Sequence, residues 1–370
     1  MSVNWSAIRE EFPALANWTY LNTATFGQLP RAAVAAIHRH LAHRDELACS
    51  DFLSWFDDAD RVRELVARLI NCQAADVAFL NGANVALSLL IGGLDWRPGD
   101  RIVTLQDEFP NNLYYPALLE RRGVEFVETP WERFYESITP RTRLVAVSTV
   151  NYSHGFAPPL EEMARYLRER GVLLFLDGTQ SVGALRFDAG RIQPDMLAVH
   201  GYKWLLCPNG IGFMYVSPAL RERLEPAVVG WRSHHDWRNV DHLHHGAPVF
   251  AASADKYEGG MLATSLLYAM RASLELMLEI GPEAIERRVR ELATLTRDRL
   301  RGLGAQLPDC DSPIVSARWE GRDASLLARE LKARRVLVSA RHGNLRVSTH
   351  FYNHEEDIHR LATELRPLLP

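Results

Sequence analysis

GVLLFLDGTQSVGALRFDAGRIQPDMLAVHGYKWLLCPNGIGF, residues 171–213, is the segment of the sequence that decides the fold. Its apolar run 172–176 is typical of a buried strand in a parallel sheet, and the run is followed by Asp177. A second apolar run, 196–199, leads into Lys203. Because ligands of open α/β sheets bind outside the carboxyl ends of the strands, we expect Asp177 and Lys203 to face one site.

An acid and a lysine at neighbouring strand ends suit a pyridoxal phosphate site. The carboxylate of Asp177 is expected to hold the pyridine nitrogen protonated, and Lys203 is expected to carry the cofactor as a Schiff base. The plain structural alternative for Asp177 is an aspartate that caps the exit of its strand. The lysine at the next strand end favours the catalytic role for both residues.

Two parts of this segment resemble the fold-type I pyridoxal phosphate enzymes of aminotransferase class V: LDGTQSVG at 176–183 and HGYKWL at 200–205. That family includes cysteine desulfurases, selenocysteine lyase, isopenicillin N epimerase-like proteins and, more distantly, kynureninase. Further similarities follow in the family's order: NGAN at 81–84, EFPNNLYY at 108–115, KYEGG at 256–260 and RVSTHFYN at 346–353. The resemblance implies an α/β chain with the PLP-dependent transferase fold of type I. In that fold a mostly parallel, doubly wound sheet is accompanied by a smaller α+β C-terminal domain.

The chain is long for a single hydrophobic core, so we expect more than one domain. Strands alternate with helices from 76 to 216, which favours a doubly wound sheet. We predict an N-terminal arm at 1–15 that joins the small domain. A large PLP-binding domain is predicted at 16–260, and a small α+β domain at 261–370.

The NGAN turn lies between a short predicted strand and a predicted helix that begins at about Val85. Free amides at a helix N-terminus attract an anion, so this turn has the mechanics of a phosphate site. An ordinary Asn-capped helix explains the local pattern equally well. The resemblance implies that Asn81, Gly82, Ala83 and Asn84 bind the cofactor.

The resemblance implies further cofactor contacts outside that turn. It places the ring of Phe109 over the pyridine face, although a core phenylalanine at a helix start is the simpler local interpretation. Gln180 is expected to donate to the phenolic oxygen, and His200 and Tyr202 are expected to contact the phosphate. The amide of Gly260 is expected to reach the phosphate of a partner chain, at a position where family members often have a threonine.

Substrate binding is predicted to depend on arginine, whose planar fork suits a carboxylate. Arg346 matches the family position, and Arg341 is a second candidate; a surface arginine is the alternative for both. Asn22 falls in a segment that resembles the family's substrate-side loop. Trp231 is a candidate by similarity to the kynureninase substrate loop.

Composition limits the partners of the protein. Net charge is −4 with acids and bases interspersed, so we expect neither nucleic acid nor a membrane as a partner. The four cysteines are scattered, which indicates free thiols and a cytoplasmic protein. Five histidines in 234–245 do not match a zinc pattern, so we expect no metal. The resemblance implies a homodimer with the active site at the interface.

The leading hypothesis is an enzyme that acts at Cα of an amino-acid substrate through Lys203, as a class V aminotransferase. A C–S or C–Se lyase, an isopenicillin N epimerase-like enzyme and a kynureninase-like hydrolase share these residues and stay open. Epimerisation needs a second acid–base group, for which Tyr152, His154 or a loop histidine could serve. A non-enzymatic regulator lacks support, and a nicotinamide dehydrogenase lacks its glycine motif.

A cysteine desulfurase is not expected. In those enzymes a thiol lies on a mobile loop just before the segment that resembles 345–353. Here the corresponding loop, 339–344, has no cysteine and is short. Cys207 is nearest in sequence to Lys203, but a packing role is expected for it because buried thiols are usually inert.

Overall fold

The computed structural model describes residues 3–369. Its strands form a central sheet of seven strands, a second sheet of three and a third of two. The strands are β1 Thr19–Tyr20, β2 Val77–Leu80, β3 Arg101–Leu105, β4 Glu125–Thr129, β5 Thr142–Ser148, β6 Leu173–Asp177, β7 Met196–His200, β8 Gly212–Val216, β9 Ile314–Ala317, β10 Val336–Leu337, β11 Ser339–Arg341 and β12 Asn344–Ser348. The helices are α1 Trp5–Glu10, α2 Arg31–Leu47, α3 Ser54–Ile70, α4 Ala83–Gly92, α5 Tyr114–Leu118, α6 Phe134–Ser137, α7 Leu160–Arg168, α8 Ala189–Ile192, α9 Pro218–Arg223, α10 Thr264–Ile280, α11 Pro282–Arg301, α12 Ala324–Ala333 and α13 Glu355–Leu365.

The central sheet has the strand order β2-β8-β7-β6-β5-β3-β4. Neighbouring strands from β7 to β4 are parallel, and β8 is antiparallel to both β2 and β7. Strands β6 and β8 are buried along their whole length, as expected when helices cover both faces of a parallel sheet. The predicted α/β class with a mostly parallel, doubly wound sheet is confirmed.

Alternate residues of the strands pack into two separate cores, one on each face of the sheet. Leu174 and Leu176 of β6 join a core with α3, α7 and α10, whereas Leu173 and Phe175 join a core with α4 and α9. This alternation follows from the two-residue period of a strand. The sheet is therefore covered on both faces and reaches solvent mainly at its ends.

A second, antiparallel sheet of order β11-β12-β9 packs with α11, α12 and α13 around its own core. The N-terminal helix α1 lies against this part of the chain, because Arg9 forms an ion pair with Asp357 at 2.7 Å. Helix α10 packs instead on α2 and α3, and it contributes Leu267 and Met277 to a core of the large sheet. The predicted domain boundaries at residues 15 and 260 stay predictions.

Two local predictions differ from the structure for identifiable reasons. The single strand predicted at 336–339 is divided, because β10 pairs with β1 whereas β11 pairs with β12. The helix predicted from Val85 begins at Ala83, since Gly82 adopts an extended conformation and serves as its N-cap. Within residues 3–369, no helix is both long and apolar enough to cross a membrane.

Candidate active site

The candidate site lies where four parallel strands of the central sheet end. Strand β6 ends at Asp177, which is paired in register with Ser148 at the end of β5. Strand β7 ends at His200, three residues before Lys203, and β3 leads to Phe109. Because these strands are parallel, their carboxyl ends meet at one edge of the sheet, as the sequence predicted.

Lys203 is buried in this site, and its Nζ atom makes no hydrogen bond to any residue in 3–369. Burial lowers the pKa of Lys203 to about 8; Asp177 opposes this shift, and Arg346 and Arg341 add to it. The ammonium lies 5.6 Å from the ring centroid of Phe109 and 5.6 Å from that of Tyr202. Lys203 is therefore poised to lose its proton near neutral pH.

The other two lysines of the chain are placed differently. The Nζ atom of Lys256 donates to the carbonyl oxygen of Arg221 at 2.7 Å, away from the strand ends of the site. Lys332 is exposed on α12. Within residues 3–369 only Lys203 combines burial with an amine that has no hydrogen-bond partner, so it is the lysine able to anchor an aldehyde cofactor.

Close packing holds the turn that carries Lys203. The amide of Gly27 donates to the carbonyl oxygen of Tyr202 at 2.8 Å, and a Cβ atom at position 27 would collide with the carbonyl oxygen of Lys203. Gly27 is thus required by the approach of two backbones. No local sequence pattern marks Gly27, because its partner lies far along the chain.

The carboxylate of Asp177 presents one oxygen to the site. Its Oδ1 atom accepts from the amide of Thr179 at 2.9 Å, and Oδ2 has no hydrogen-bond partner among residues 3–369. The carbonyl oxygen of Asp177 also accepts from Thr149, through its amide at 2.9 Å. The backbone of Asp177 is therefore fixed, and Oδ2 is available to a ring nitrogen.

His200 links the lysine segment to the predicted phosphate turn. Its Nε2 atom accepts from the amide of Ala83 at 3.1 Å, so in the neutral ring the proton lies on Nδ1. Burial lowers the pKa of His200, while Asp177 opposes that shift. The Nδ1 atom is buried without a partner, and an oxyanion would satisfy it.

The other residues of the turn surround that donor. Asn81 and Asn84 are exposed, and Gly82 is buried so closely that a Cβ atom there would meet the ring of His200. Tyr202 contacts the ring of His200, with centroids 5.2 Å apart. The structure thus brings the predicted phosphate residues of both segments together.

Gln180 is held in one orientation by two protein partners. Its Oε1 atom accepts from the indole nitrogen of Trp204 at 2.9 Å, and Nε2 donates to the carbonyl oxygen of Ala24 at 3.0 Å. The carbonyl oxygen of Trp204 in turn contacts Nε2 of His350 at 2.9 Å. One N–H of Gln180 remains for a phenolic oxygen, as the sequence prediction requires.

Aromatic side chains form one wall of the site. The ring of Phe109 meets the ring of Tyr152 edge-on, with centroids 5.1 Å apart at 79°. The hydroxyl of Tyr152 lies 2.6 Å from Nε2 of His342. Burial raises the pKa of Tyr152, while the charge of Arg341 opposes that shift. This wall therefore ends in a coupled hydroxyl–imidazole pair.

The guanidinium of Arg346 is buried with neutral partners. It donates to Ser339 Oγ at 3.1 Å, to the carbonyl oxygen of Tyr152 at 2.5 Å and to Thr25 Oγ1 at 2.6 Å. Burial lowers the pKa of Arg346 to about 9, and the charge of Arg341 adds to this effect. Within the described chain no carboxylate pairs with Arg346, so it is open to an anionic ligand.

Asn22 and Arg341 lie beside Arg346. The Oδ1 atom of Asn22 accepts from the hydroxyl of Thr25 at 2.8 Å, so Asn22 positions a partner of Arg346. Arg341 donates to the carbonyl oxygen of Ala340 at 2.7 Å. Both residues, which the sequence predicted to bind substrate, thus lie close to Arg346.

Glu108 is a buried acid that the sequence analysis did not assign. Its carboxylate accepts from the amide of Ser148 at 2.6 Å, from the hydroxyl of Ser148 at 2.5 Å and from Asn112 Nδ2 at 3.0 Å. Burial raises the pKa of Glu108 to about 7, and Asp177 adds to that shift. Its position at 108, directly before Phe109 in the quoted motif, was the available signal.

Trp231 and Gly260 are not brought to this cluster within one chain. The ring of Trp231 packs against Phe56 and Trp237, with centroids 6.0 and 5.5 Å apart. The carbonyl oxygen of Gly260 accepts from Arg232 at 3.1 Å. No hydrogen bond or ring contact joins either residue to Lys203 in the part of the chain that the structure describes.

The histidine-rich segment carries stacked rings. His234 lies parallel to His244, with centroids 4.2 Å apart, and its Nδ1 atom accepts from the amide of Val249 at 3.1 Å. Across residues 3–369 no group of three or more histidine, cysteine or carboxylate side chains is arranged to hold a metal ion.

The polar groups of the site fit the cofactor that the sequence predicts. Lys203 supplies a free amine, Asp177 an unpaired oxygen, and Gln180 a spare N–H. His200 supplies a buried nitrogen without a partner, next to the N-terminus of α4. Each matches one polar group of a pyridine aldehyde phosphate.

Comparison with known proteins supports this assignment. The family model "Aminotransferase class-V" matches residues 19–361. Isopenicillin N epimerase of Streptomyces clavuligerus is 30% identical over 391 aligned positions, which cover 94% of this chain and 94% of that protein.

Two solved structures share the fold. The cystine C–S lyase C-DES, in complex with cysteine persulfide, superimposes with a TM-score of 0.88 at 24% identity, over 97% of this chain and 100% of that chain. The cysteine desulfurase of Thermococcus onnurineus gives a TM-score of 0.89 at 21% identity, over 100% of this chain and 98% of that chain. The predicted type I fold is confirmed by these likenesses.

Proposed function

The chain belongs to the class-V aminotransferase family, and from that premise we propose that it is a pyridoxal phosphate-dependent aminotransferase acting at Cα of an amino acid. The observation that carries the proposal is Lys203, the one buried lysine without a hydrogen-bond partner, at a strand end beside Asp177. The pKa of Lys203, lowered to about 8, suits both attachment of an aldehyde and proton transfer near neutral pH.

The residues around Lys203 are assigned to different groups of the cofactor. When bound, pyridoxal phosphate withdraws electrons from Cα of the substrate, most strongly with a protonated pyridine nitrogen. Asp177 would keep that proton in place through Oδ2, and Gln180 would hold the phenolic oxygen. His200, Tyr202 and the turn 81–84 would hold the phosphate, and Phe109 would supply an apolar contact to the ring.

The substrate side of the site is formed by Arg346 and the residues that hold it. Its remaining N–H groups bind the α-carboxylate of the substrate, since its present partners are all neutral. Freed by the substrate amine, Lys203 would take the proton from Cα as a base and would give it up again as an acid. One base suffices for that transfer, which favours transamination.

A desulfurase reaction through a protein persulfide is disfavoured by the same region. Strands β11 and β12 are joined by only His342 and Gly343, so the segment has no room for a mobile thiol loop. Burial raises the pKa of Cys207 to about 12, which keeps that thiol protonated. Elimination that leaves sulfur on the product does not need such a thiol.

Epimerisation is the second candidate, and Tyr152 is the observation that favours it. Its hydroxyl is paired with His342 at 2.6 Å, and its ring meets the edge of Phe109. A hydroxyl–imidazole pair beside Phe109 would supply the second acid–base group that epimerisation needs. The relative of 30% identity that is named an isopenicillin N epimerase is consistent with this alternative.

We also propose a homodimer in a reducing, cytoplasmic setting. Gly260 has open space where a Cβ atom would lie, and its segment 256–260 is the one that the family resemblance directs to a partner site. The thiols of all four cysteines are free, as a reducing compartment requires.

The test is a two-part assay on protein that has been loaded with pyridoxal phosphate. Borohydride reduction and peptide mapping should place the cofactor on Lys203, and a label on Lys256 or Lys332 would overturn the anchor. Amino acids are then incubated with and without a keto acid in deuterated water. Keto-acid-dependent amino transfer supports the aminotransferase, whereas racemisation with deuterium at Cα and no amino transfer supports the epimerase.

A further inference from the structure

We propose that this site selects a substrate with two anionic groups, an amino acid that carries a second carboxylate, and that Arg341 binds this second group. The proposal rests on the proposed function, because it names the substrate class of the same site. It extends that function by assigning separate roles to Arg346 and Arg341.

Arg346 differs from the other buried arginines in lacking an acid partner. Four other buried arginines each lie within 4 Å of a carboxylate, namely Arg63, Arg232, Arg288 and Arg297. Arg346, although 1% exposed, has only hydroxyl and carbonyl partners in residues 3–369. A buried guanidinium without a counter-charge is costly, so the site is built to receive an anion.

Arg341 lies on the same face of the β11–β12 hairpin as Arg346. Ser339 is directly opposite Arg346, and Arg341 is two residues beyond Ser339 on the same strand. Residues two apart in a strand share a face, and such diagonal neighbours lie roughly 7–8 Å apart. The charge of Arg341 lowers the pKa values of both Arg346 and Lys203, which places it within electrostatic reach of the site.

The charges of the site do not balance without a ligand. Arg341, Arg346 and Lys203 are basic, and Arg341 too has no carboxylate within 4 Å in the described chain. Asp177 is the acid opposite Lys203 and is directed to the cofactor. Glu108, whose pKa is raised to about 7 by burial, is engaged by Ser148 and Asn112.

The remaining titratable groups near Phe109 and Tyr152 do not supply the negative charge that Arg341 lacks. His342 and Tyr152 are bonded to each other, and burial lowers the pKa of His154. Asp107 acts on Tyr152 and His154, and it makes no ion pair with Arg341. One carboxylate on Arg346 leaves Arg341 unmatched, and a second carboxylate on the ligand matches it.

The experiment measures dissociation constants from the absorbance of the bound cofactor in the loaded enzyme. Glutamate is compared with glutamine and aspartate with asparagine, in both enantiomers, because each pair differs by one charge at nearly equal size. Glutarate and butyrate, which differ by one whole carboxylate group, are compared as well, since they lack an amine and do not react. We expect each dianionic ligand to bind about 10- to 100-fold more tightly than its matched partner.

Variants assign the preference to one residue. Arg341→Gln should reduce the ratio of dissociation constants to near one, because it weakens the binding of each dianionic ligand far more than that of glutamine or butyrate. Arg341→Lys should retain part of the preference, because it keeps the charge and loses the fork. Arg322→Gln, an exposed arginine before α12, is the matched control and should leave the ratio unchanged.

The outcomes separate this inference from the proposed function. Equal binding of glutarate and butyrate, or a preference that survives Arg341→Gln, overturns the inference even if amino acids react. If no amino acid changes the cofactor spectrum but glutarate still binds through Arg341, the proposed function fails and the dianion site stands.

Discussion

Lys203 shows how one residue type acquires reactivity from its surroundings. An ordinary lysine has a pKa near 10.4 and is almost fully protonated at neutral pH. At position 203 burial lowers the pKa to about 8, against the opposing charge of Asp177. The amine is therefore neutral above that pH and protonated below it.

The lowered pKa of Lys203 predicts how the rate of covalent cofactor binding depends on pH. The rate at which cofactor-free protein binds pyridoxal phosphate covalently should rise with pH and reach half its maximum near pH 8, because only the neutral amine attacks the aldehyde. Stopped-flow absorbance from pH 6 to pH 10.5 measures this, with a simple alkyl amine as reference. Lys203→Ala should show no covalent capture, and a midpoint near that of the alkyl amine would contradict the prediction.

Asp177 is predicted to act through its charge and not through packing. Asp177→Asn keeps a polar side chain for the Thr179 amide but removes the charge that holds the pyridine proton. We expect covalent cofactor to remain and turnover to fall roughly 10²- to 10³-fold. Steady-state kinetics and the cofactor spectrum measure the two effects.

Asp188→Asn is the matched control for that variant, since Asp188 caps α8 and accepts from the amide of Arg191. It should leave turnover unchanged. Near-normal turnover in Asp177→Asn would show that the ring proton does not depend on this carboxylate.

At the residue scale the sequence predicted groups whose positions follow from strand ends. Asp177 comes directly after one buried apolar run and Lys203 four residues after another, so their proximity could be predicted from a parallel sheet. Gly27 and Trp204 could not be foreseen in their roles, because each depends on a contact with a distant segment. A local pattern carries no information about such partners.

The bounds of helices could be predicted from the sequence where the apolar periodicity was strong. Periodicity predicts helices at 264–280, 324–333 and 355–365, and helices α10, α12 and α13 have these bounds. The prediction was weaker where pairing decides the element, as in the division of the segment 336–341 between β10 and β11. Pairing is a property of two segments, and a period in one segment does not reveal it.

The short turn of the β11–β12 hairpin predicts that the protein forms no persulfide. His342 and Gly343 both have positive φ, 47° and 74°, as tight two-residue hairpin turns require. With no room for a thiol-bearing loop, the protein should form no persulfide when incubated with cysteine. Sulfide release in the presence of dithiothreitol and mass spectrometry of intact protein are the measurements.

Cys207→Ser provides the discriminating control for that experiment. If sulfide appears by elimination alone, this variant should release it at the same rate as the unaltered protein. A trapped persulfide on Cys207 that disappears in the variant, together with lost sulfide release, would contradict the expectation that this protein forms no persulfide.

At the scale of the whole molecule, apolar side chains remain exposed on α2. Val34 and Leu41 are 40% and 44% exposed and lie two turns apart on one face. Val228, Val249 and Met261 are also exposed, in the segment before and around Gly260. Exposed apolar groups of this kind are common at interfaces between subunits.

We therefore expect a homodimer whose dissociation also releases cofactor. The double variant Val34→Glu and Leu41→Glu should sediment as a monomer and bind pyridoxal phosphate at least about tenfold more weakly, if a partner completes the phosphate site. Sedimentation velocity and fluorescence titration measure both. Leu326→Glu, at another exposed leucine, should change neither. A monomer that binds cofactor at full strength would contradict the expectation.

The sheet class could be predicted for the whole molecule, but the strand order could not. Parallel strands followed from alternating helices and apolar runs. The insertion of β8 between β2 and β7, antiparallel to both, depends on which edges meet in three dimensions. Nothing in the local sequence of β8 distinguishes it from a parallel neighbour.

The short pairing of β1 with β10 has a consequence for synthesis on the ribosome. Thr19 and Tyr20 pair with Val336 and Leu337, which are synthesised late, and Asn22, two residues after Tyr20, bridges Ser348. The central sheet, which carries Lys203, can assemble once its own strands have emerged, whereas Arg346 meets its partner Thr25 only when nearly the complete chain has been made. A nascent or prematurely terminated chain thus exposes a reactive amine before it has any means of choosing a substrate.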